Sequence, residues 1–132
     1  MWGSVVCHAA APALHAAHAI SLPTIILCHG PAALLAANKV EGAEFPYKGY
    51  KVVTFSDKTD TTTPKVGYLP GTLKWLMQKA LQEQGMDASN TSETGATHVD
   101  RELISGDSPG ASNKIGTVAV PILVSAWASK NK

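Results

Sequence analysis

Residues 24–39, TIILCHGPAALLAANK, decide the fold class. Residues 24–28 are apolar and largely β-branched with no polar alternation, the pattern of a strand buried on both faces of a parallel sheet. His29-Gly30-Pro31 ends the run, and proline suits the first turn of a helix because its missing amide would have no partner there. The Ala/Leu stretch that follows is apolar nearly all round, so it reads as a buried helix that stops near Asn38 and Gly42. Strand, tight turn and helix in that order is the building unit of an α/β protein.

Working outward, residues 50–55 (YKVVTF) read as a second strand. A polar loop over residues 56–65 follows, holding Asp57, Asp60 and four threonines. Leu73, Leu76, Met77, Ala80 and Leu81 fall at helical spacing, which predicts an amphipathic helix over 72–84, ended by Gly85. Residues 98–105 suggest a third strand or a hairpin. Asp107-Ser108-Pro109 supplies a helix cap and a proline at the first helical position. The last helix carries its stripe through Ile115, Val118, Ala119, Ile122, Leu123, Ala126 and Trp127. Pro121 within it removes one ladder hydrogen bond and should kink it, at a cost of about 3 kcal/mol if uncompensated. Residues 1–20 differ from the rest: rich in Ala and His, they hold no Lys, Arg, Asp or Glu. Without a basic start or a continuous apolar centre they do not read as a secretory signal. They are expected to be a disordered or non-native arm ahead of a domain over 21–132.

Composition sets the outer limits. The 132 residues, 45% hydrophobic and 16% charged, suit one globular domain. Eleven basic residues against ten acidic ones leave a net charge of +1, which excludes the electrostatic footprint of a nucleic-acid or anionic-membrane binder. Cys7 and Cys28 are too few for a disulfide framework, so a reducing, cytoplasmic setting is expected. The most apolar stretch, 25–37, is broken by Cys28, His29, Gly30 and Pro31, whereas a membrane span needs roughly 18 uninterrupted apolar residues.

Cys28 ends a strand at the mouth of a helix, the setting that lifts a nucleophile out of a sheet. Helix-terminal amides favour an anion, so the thiol there is expected to have a lowered pKa. The amides of His29 and Gly30 are candidate oxyanion donors, and His29 can share the thiol's proton. The competing reading is a buried cysteine that closes an apolar strand. Asp57 and Asp60 come at the same sheet end, where open α/β sheets place their ligands. Either can orient His29, or simply form an Asx turn. His8, His15 and His18 have a spacing that suits a metal but lack a cysteine or carboxylate in register, so neither metal nor cofactor is expected. His98, Asp100 and Arg101 read as a polar site or a strand-end ion pair.

The strings LPTIILCHGPAALLAA, GYKVVTFSDKTDTTTPKVGYLPG and TGATHVDRELISGDSPGASN resemble the C-terminal half of the ThiJ/PfpI (DJ-one) superfamily. Within it they are most similar to the glutathione-independent glyoxalases (glyoxalase III, D-lactate dehydratase), a branch also known as HchA-type holding chaperones and protein deglycases. The resemblance implies a flavodoxin-like (class I glutamine amidotransferase-like) α/β sandwich, a homodimer and a cytosolic location. It implies Cys28 as nucleophile, His29 as its neighbour and Asp60 as the acidic member, with Asp57 the lesser candidate. Its substrates would be methylglyoxal or glyoxal: thiolate attack gives a hemithioacetal, an enediolate leads to a thioester, and water releases D-lactate. The family's general base is a glutamate on an upstream strand-to-helix turn, and a Gly-rich loop completes its oxyanion hole. No residue here matches either, nor the zinc ligands of the metal-binding branch, and Glu41 and Glu44 follow the first helix instead. The resemblance therefore implies a partial sandwich whose N-terminal strands are missing and whose residue 24–28 strand has an open apolar edge. A partner chain, a second copy or upstream sequence would have to cover that edge. The functional alternatives are a holding chaperone for unfolded clients, a deglycase-like module and an inactive fragment, any of them compatible with redox sensing at Cys28.

Overall fold

The computed structural model describes residues 2–67 and 70–130, with side chains from residue 10 onward. Three strands form one sheet in the order β1-β3-β2, with β1 at Thr24–Leu27, β2 at Thr97–Asp100 and β3 at Leu103–Gly106. β1 runs parallel to β3, with Thr24 opposite Leu103 and Leu27 opposite Gly106. β2 and β3 make an antiparallel hairpin, so the sheet is mixed rather than purely parallel. Arg101 takes φ 56° in the two-residue turn between them. Every β3 residue is buried. Leu103 faces a core of Leu34, Tyr47, Tyr50, Val52, Met77 and Leu81, while Ile104 faces Ile115 and Ala119 on the opposite side. Helices thus cover both faces, the α/β sandwich expected from residues 24–39.

Several expectations need correction. Residues 2–19, expected to be a disordered or non-native arm, form helix α1 (Trp2–Ala19). Alanine is the strongest helix former, and tertiary packing supplies the rest. Ala11 is buried, Leu14 packs on the main core, and His15 Nε2 donates to the Ala37 carbonyl at 2.8 Å. Residues 50–55 are not a strand but an irregular crossing. Their amides go elsewhere: Val52 to the Asp87 carbonyl, Val53 to Ser105 Oγ, Thr54 to Asn90 Oδ1 and Phe55 to the Cys28 carbonyl. The loop after it contains a short helix, α2 (Asp57–Thr62), capped by Ser56. The buried Ala/Leu helix is a run of 3-10 turns, Gly30–Lys39. The helix expected over 72–84 is α3 at Met77–Glu83, because Asp57 caps its amides and fixes where it starts.

After Ser108 and a 3-10 turn at Pro109–Ala111, α4 (Ser112–Lys130) runs to the end of the described residues with Pro121 inside it. β1 is an edge strand, and among the described residues no strand pairs with its outer side; Ile25 there is 43% exposed. No helix among the described residues is long and apolar enough to cross a membrane.

Candidate active site

β1 delivers Cys28 to the surface in a backbone conformation that, among the described non-glycine residues, only Ser21 and Arg101 share. Its φ is 60°, left-handed space that costs a residue with a Cβ about 1 kcal/mol or more. Two backbone bonds hold it there: the Cys28 amide donates to the Gly106 carbonyl and the Phe55 amide to the Cys28 carbonyl, each at 2.9 Å. The strained corner turns Sγ towards the neighbouring ring, 3.4 Å from His29 Nδ1. The other ring nitrogen, Nε2, lies 2.9 Å from Asp60 Oδ2. With Nε2–H donating to Asp60, Nδ1 is left as the acceptor for the thiol proton. Phe55 stacks on the His29 ring at 4.6 Å between centroids and fixes its plane.

The two aspartates, equivalent as sequence, part company in space. Asp60 is 5% exposed and reaches His29 from α2. Asp57 instead accepts the Gln78 and Lys79 amides at 2.8 and 2.9 Å and caps α3. The start of α2 is held by a residue that sequence reasoning missed, Glu93. It accepts the Ser56 amide and the Thr59 hydroxyl, both at 2.7 Å. Burial pushes its carboxyl up, but these bonds outweigh it and hold Glu93 below the usual carboxylate range. No local pattern marks Glu93, because its partners lie more than 30 residues away.

The thiol does not have the expected lowered pKa. Burial pushes Cys28 up, an amide bond from His29 opposes that, and the charges of Asp60, Glu93 and Asp107 raise it further. The helix that was to supply a favourable dipole is a 3-10 run with Gly30 at its start.

Cys28 and His29 open on a cavity of about 560 Å³, walled also by Phe55, Asp60, Leu73, Lys74 and Trp75. Gly30 is not on its wall. The other candidates serve elsewhere. Arg101 pairs with Asp100 at 3.0 Å and lies over the Tyr50 ring at 3.4 Å, the strand-end ion pair. His18 Nδ1 bonds Glu102 at 2.8 Å, tying α1 to the sheet, while the side chain of His8 lies outside the described residues. Burial and Glu102 push the Tyr50 phenol up to about 12. Among the described residues no cluster of His, Cys, Asp or Glu is arranged to hold a metal.

No family model matches the chain. Curated relatives do: the protein/nucleic acid deglycase HchA of Escherichia coli O7:K1 is 43% identical over 105 residues, 80% of this chain. The protein of the same name from Pseudomonas aeruginosa is 46% identical over 106 residues. The matched region belongs to the ThiJ/PfpI superfamily. The chain spans 36% of the length of these relatives. One solved crystal structure superposes with a TM-score of 0.59 over 80% of this chain and 44% of the other, at 24% identity, a likeness of fold alone. Membership of the superfamily thus rests on sequence likeness along most of the chain.

Proposed function

We propose that this chain carries the nucleophilic part of a site that acts on reactive carbonyl compounds, with Cys28 as nucleophile, His29 as proton acceptor and Asp60 holding His29. The observation that carries it is the contact chain Sγ–Nδ1 at 3.4 Å and Nε2–Oδ2 at 2.9 Å, opening on a cavity. As the thiol adds to an aldehyde, an S–C bond forms, the carbonyl π pair moves to oxygen, and the thiol proton passes to His29 Nδ1. His29 then returns that proton to the oxygen, giving a neutral hemithioacetal. The His29 amide, already directed at Sγ, is a donor for the developing oxyanion.

Carrying methylglyoxal on to D-lactate also requires a base for a carbon-bound proton. Among the described residues on the cavity wall Asp60 is the only carboxylate, and it is committed to His29. The chain's own residues therefore account for addition, while the full glyoxalase reaction, in a cytosolic homodimer, is the extended form of the proposal. The relatives' names favour a second reading in which the carbonyl carbon is an adduct on a protein or nucleic acid. Both are tested by giving the chain methylglyoxal without glutathione, following D-lactate, and then giving it methylglyoxal-treated N-acetylarginine and following release. Cys28-dependent product in the first assay supports the glyoxalase reading and in the second the deglycase reading; no Cys28-dependent product in either overturns both.

A further inference from the structure

Leu73, Lys74 and Trp75, consecutive in sequence, all line the Cys28 cavity from the segment that leads into α3. Leu73 and Trp75 are 39% and 56% exposed, an apolar lip around a cation. Among the described residues the only other ionisable side chains on the wall besides Cys28 are His29 and Asp60, and these two are bonded to each other. Lys74 pairs with no carboxylate among the described residues. The wall therefore carries two kinds of charge: the carboxylates Asp60, Glu93 and Asp107 act on the sulfur, and Lys74, with no carboxylate partner among the described residues, lies on the same wall. It is also large for a three-carbon dicarbonyl. Methylglyoxal has five heavy atoms and fills on the order of 100 Å³, scaling from the roughly 30 Å³ of a liquid water, whereas pockets of roughly 300–1,000 Å³ suit drug-sized ligands.

We propose that the site prefers carboxylate-bearing aldehydes with an apolar body, carbonyl at Cys28 and carboxylate on Lys74. The inference rests on the thiol–carbonyl reading above and adds the substrate class. An anion close to sulfur is repelled by the carboxylates that act there, so the favoured compound holds its carboxylate away from the carbonyl.

The test compares 4-carboxybenzaldehyde with its neutral isostere 4-carbamoylbenzaldehyde, each as a protector of Cys28 against iodoacetamide, read by peptide mass spectrometry on the full chain. The acid should protect at about threefold lower concentration, the size of an exposed charge pair. Lys74→Gln should abolish the preference and Lys74→Arg keep it. In parallel, Cys28 is modified with the anionic disulfide 5,5'-dithiobis(2-nitrobenzoate) and the neutral 4,4'-dithiodipyridine, which need no carbonyl chemistry. A rate ratio that falls about threefold in Lys74→Gln, and at high salt, supports the charge at the lip. Equal ratios in all three chains overturn the proposal. Should the ratio depend on Lys74 while neither aldehyde protects, the thiol–carbonyl function fails and the anion preference of the cavity stands.

Discussion

Asp60 Oδ2 accepts the Nε2 proton of His29 at 2.9 Å, which links α2 to the turn after β1 across 31 residues of sequence. Asp60 is nearly buried while the His29 side chain is half exposed, so the carboxylate anchors the ring from beneath and leaves Nδ1 for Cys28. Asp60→Ala should therefore slow alkylation of Cys28 by iodoacetamide at neutral pH by about 100-fold, the lower range of what a positioned proton acceptor contributes, a loss that outweighs the gain from removing the Asp60 charge near the thiol. An unchanged rate would show that His29 needs no orientation.

Asp57 provides the opposite test. Its carboxylate bonds two amides at the start of α3 and touches nothing in the cavity. Asp57→Ala should cost about 1–2 kcal/mol of stability, as loss of a helix cap does, and leave the alkylation rate of Cys28 unchanged. Urea unfolding together with the alkylation rate separates the two aspartates.

These two aspartates also show what the sequence could and could not disclose. Cys28, His29 and the strand before them were legible because strand, nucleophile and turn are contiguous. Which of Asp57 and Asp60 meets His29 depends on how α2 turns, and that is set by Ser56 and the distant Glu93. Residues 50–55 carry strand composition, yet Ser105 Oγ and Asn90 Oδ1 take amides that a neighbouring strand would otherwise have bonded. Residues 1–20 looked foreign because they lack charge, but alanine content makes a helix and His15 and His18 seat it on the body.

The Cys28 thiol is raised, first by burial and then by Asp60, Glu93 and Asp107. A neutral thiol is unreactive, so the alkylation rate should climb with pH through a midpoint above that of a free cysteine, about 8.5. Glu93→Gln removes one negative charge, eases thiolate formation and should move the midpoint down. A midpoint below that of free cysteine in the unaltered chain would contradict the geometry.

Glu93, Glu102 and Asp107 all lie below the usual carboxylate range, because their hydrogen bonds outweigh burial. For Asp107 those bonds come from the Thr94 and Ala96 amides and the Ser108 hydroxyl. A carboxyl with a lowered folded pKa contributes stability that is present above the unfolded value, about 3.9–4.3. That contribution is lost as pH falls through the folded value. Urea midpoints should therefore drop below about pH 4, and Asp107→Asn should lower stability at pH 7 while flattening that acid dependence.

Two glycines should respond to alanine with opposite signs. At Gly106, in β3 beside Cys28, an added Cβ would lie 2.7 Å from Leu27 Cδ1, 3.0 Å from Ala111 Cβ and 3.3 Å from Ile115 Cδ1. Leu27 and Ile115 meet it with the ends of their side chains, but Ala111 Cβ is carried by the backbone of the 3-10 turn and cannot withdraw alone. Gly106→Ala should cost about 1–3 kcal/mol, as overpacking does. Because the Gly106 carbonyl also holds the Cys28 amide, it should disturb the strained corner and slow Cys28 alkylation. At Gly116, within α4, an added Cβ would meet nothing within 4 Å. Gly116→Ala should gain about 0.5–1 kcal/mol by lowering the entropy lost on forming the helix, with the alkylation rate unchanged. If both variants shift the urea midpoint the same way, the packing of α4 against β1 and β3 is not as described.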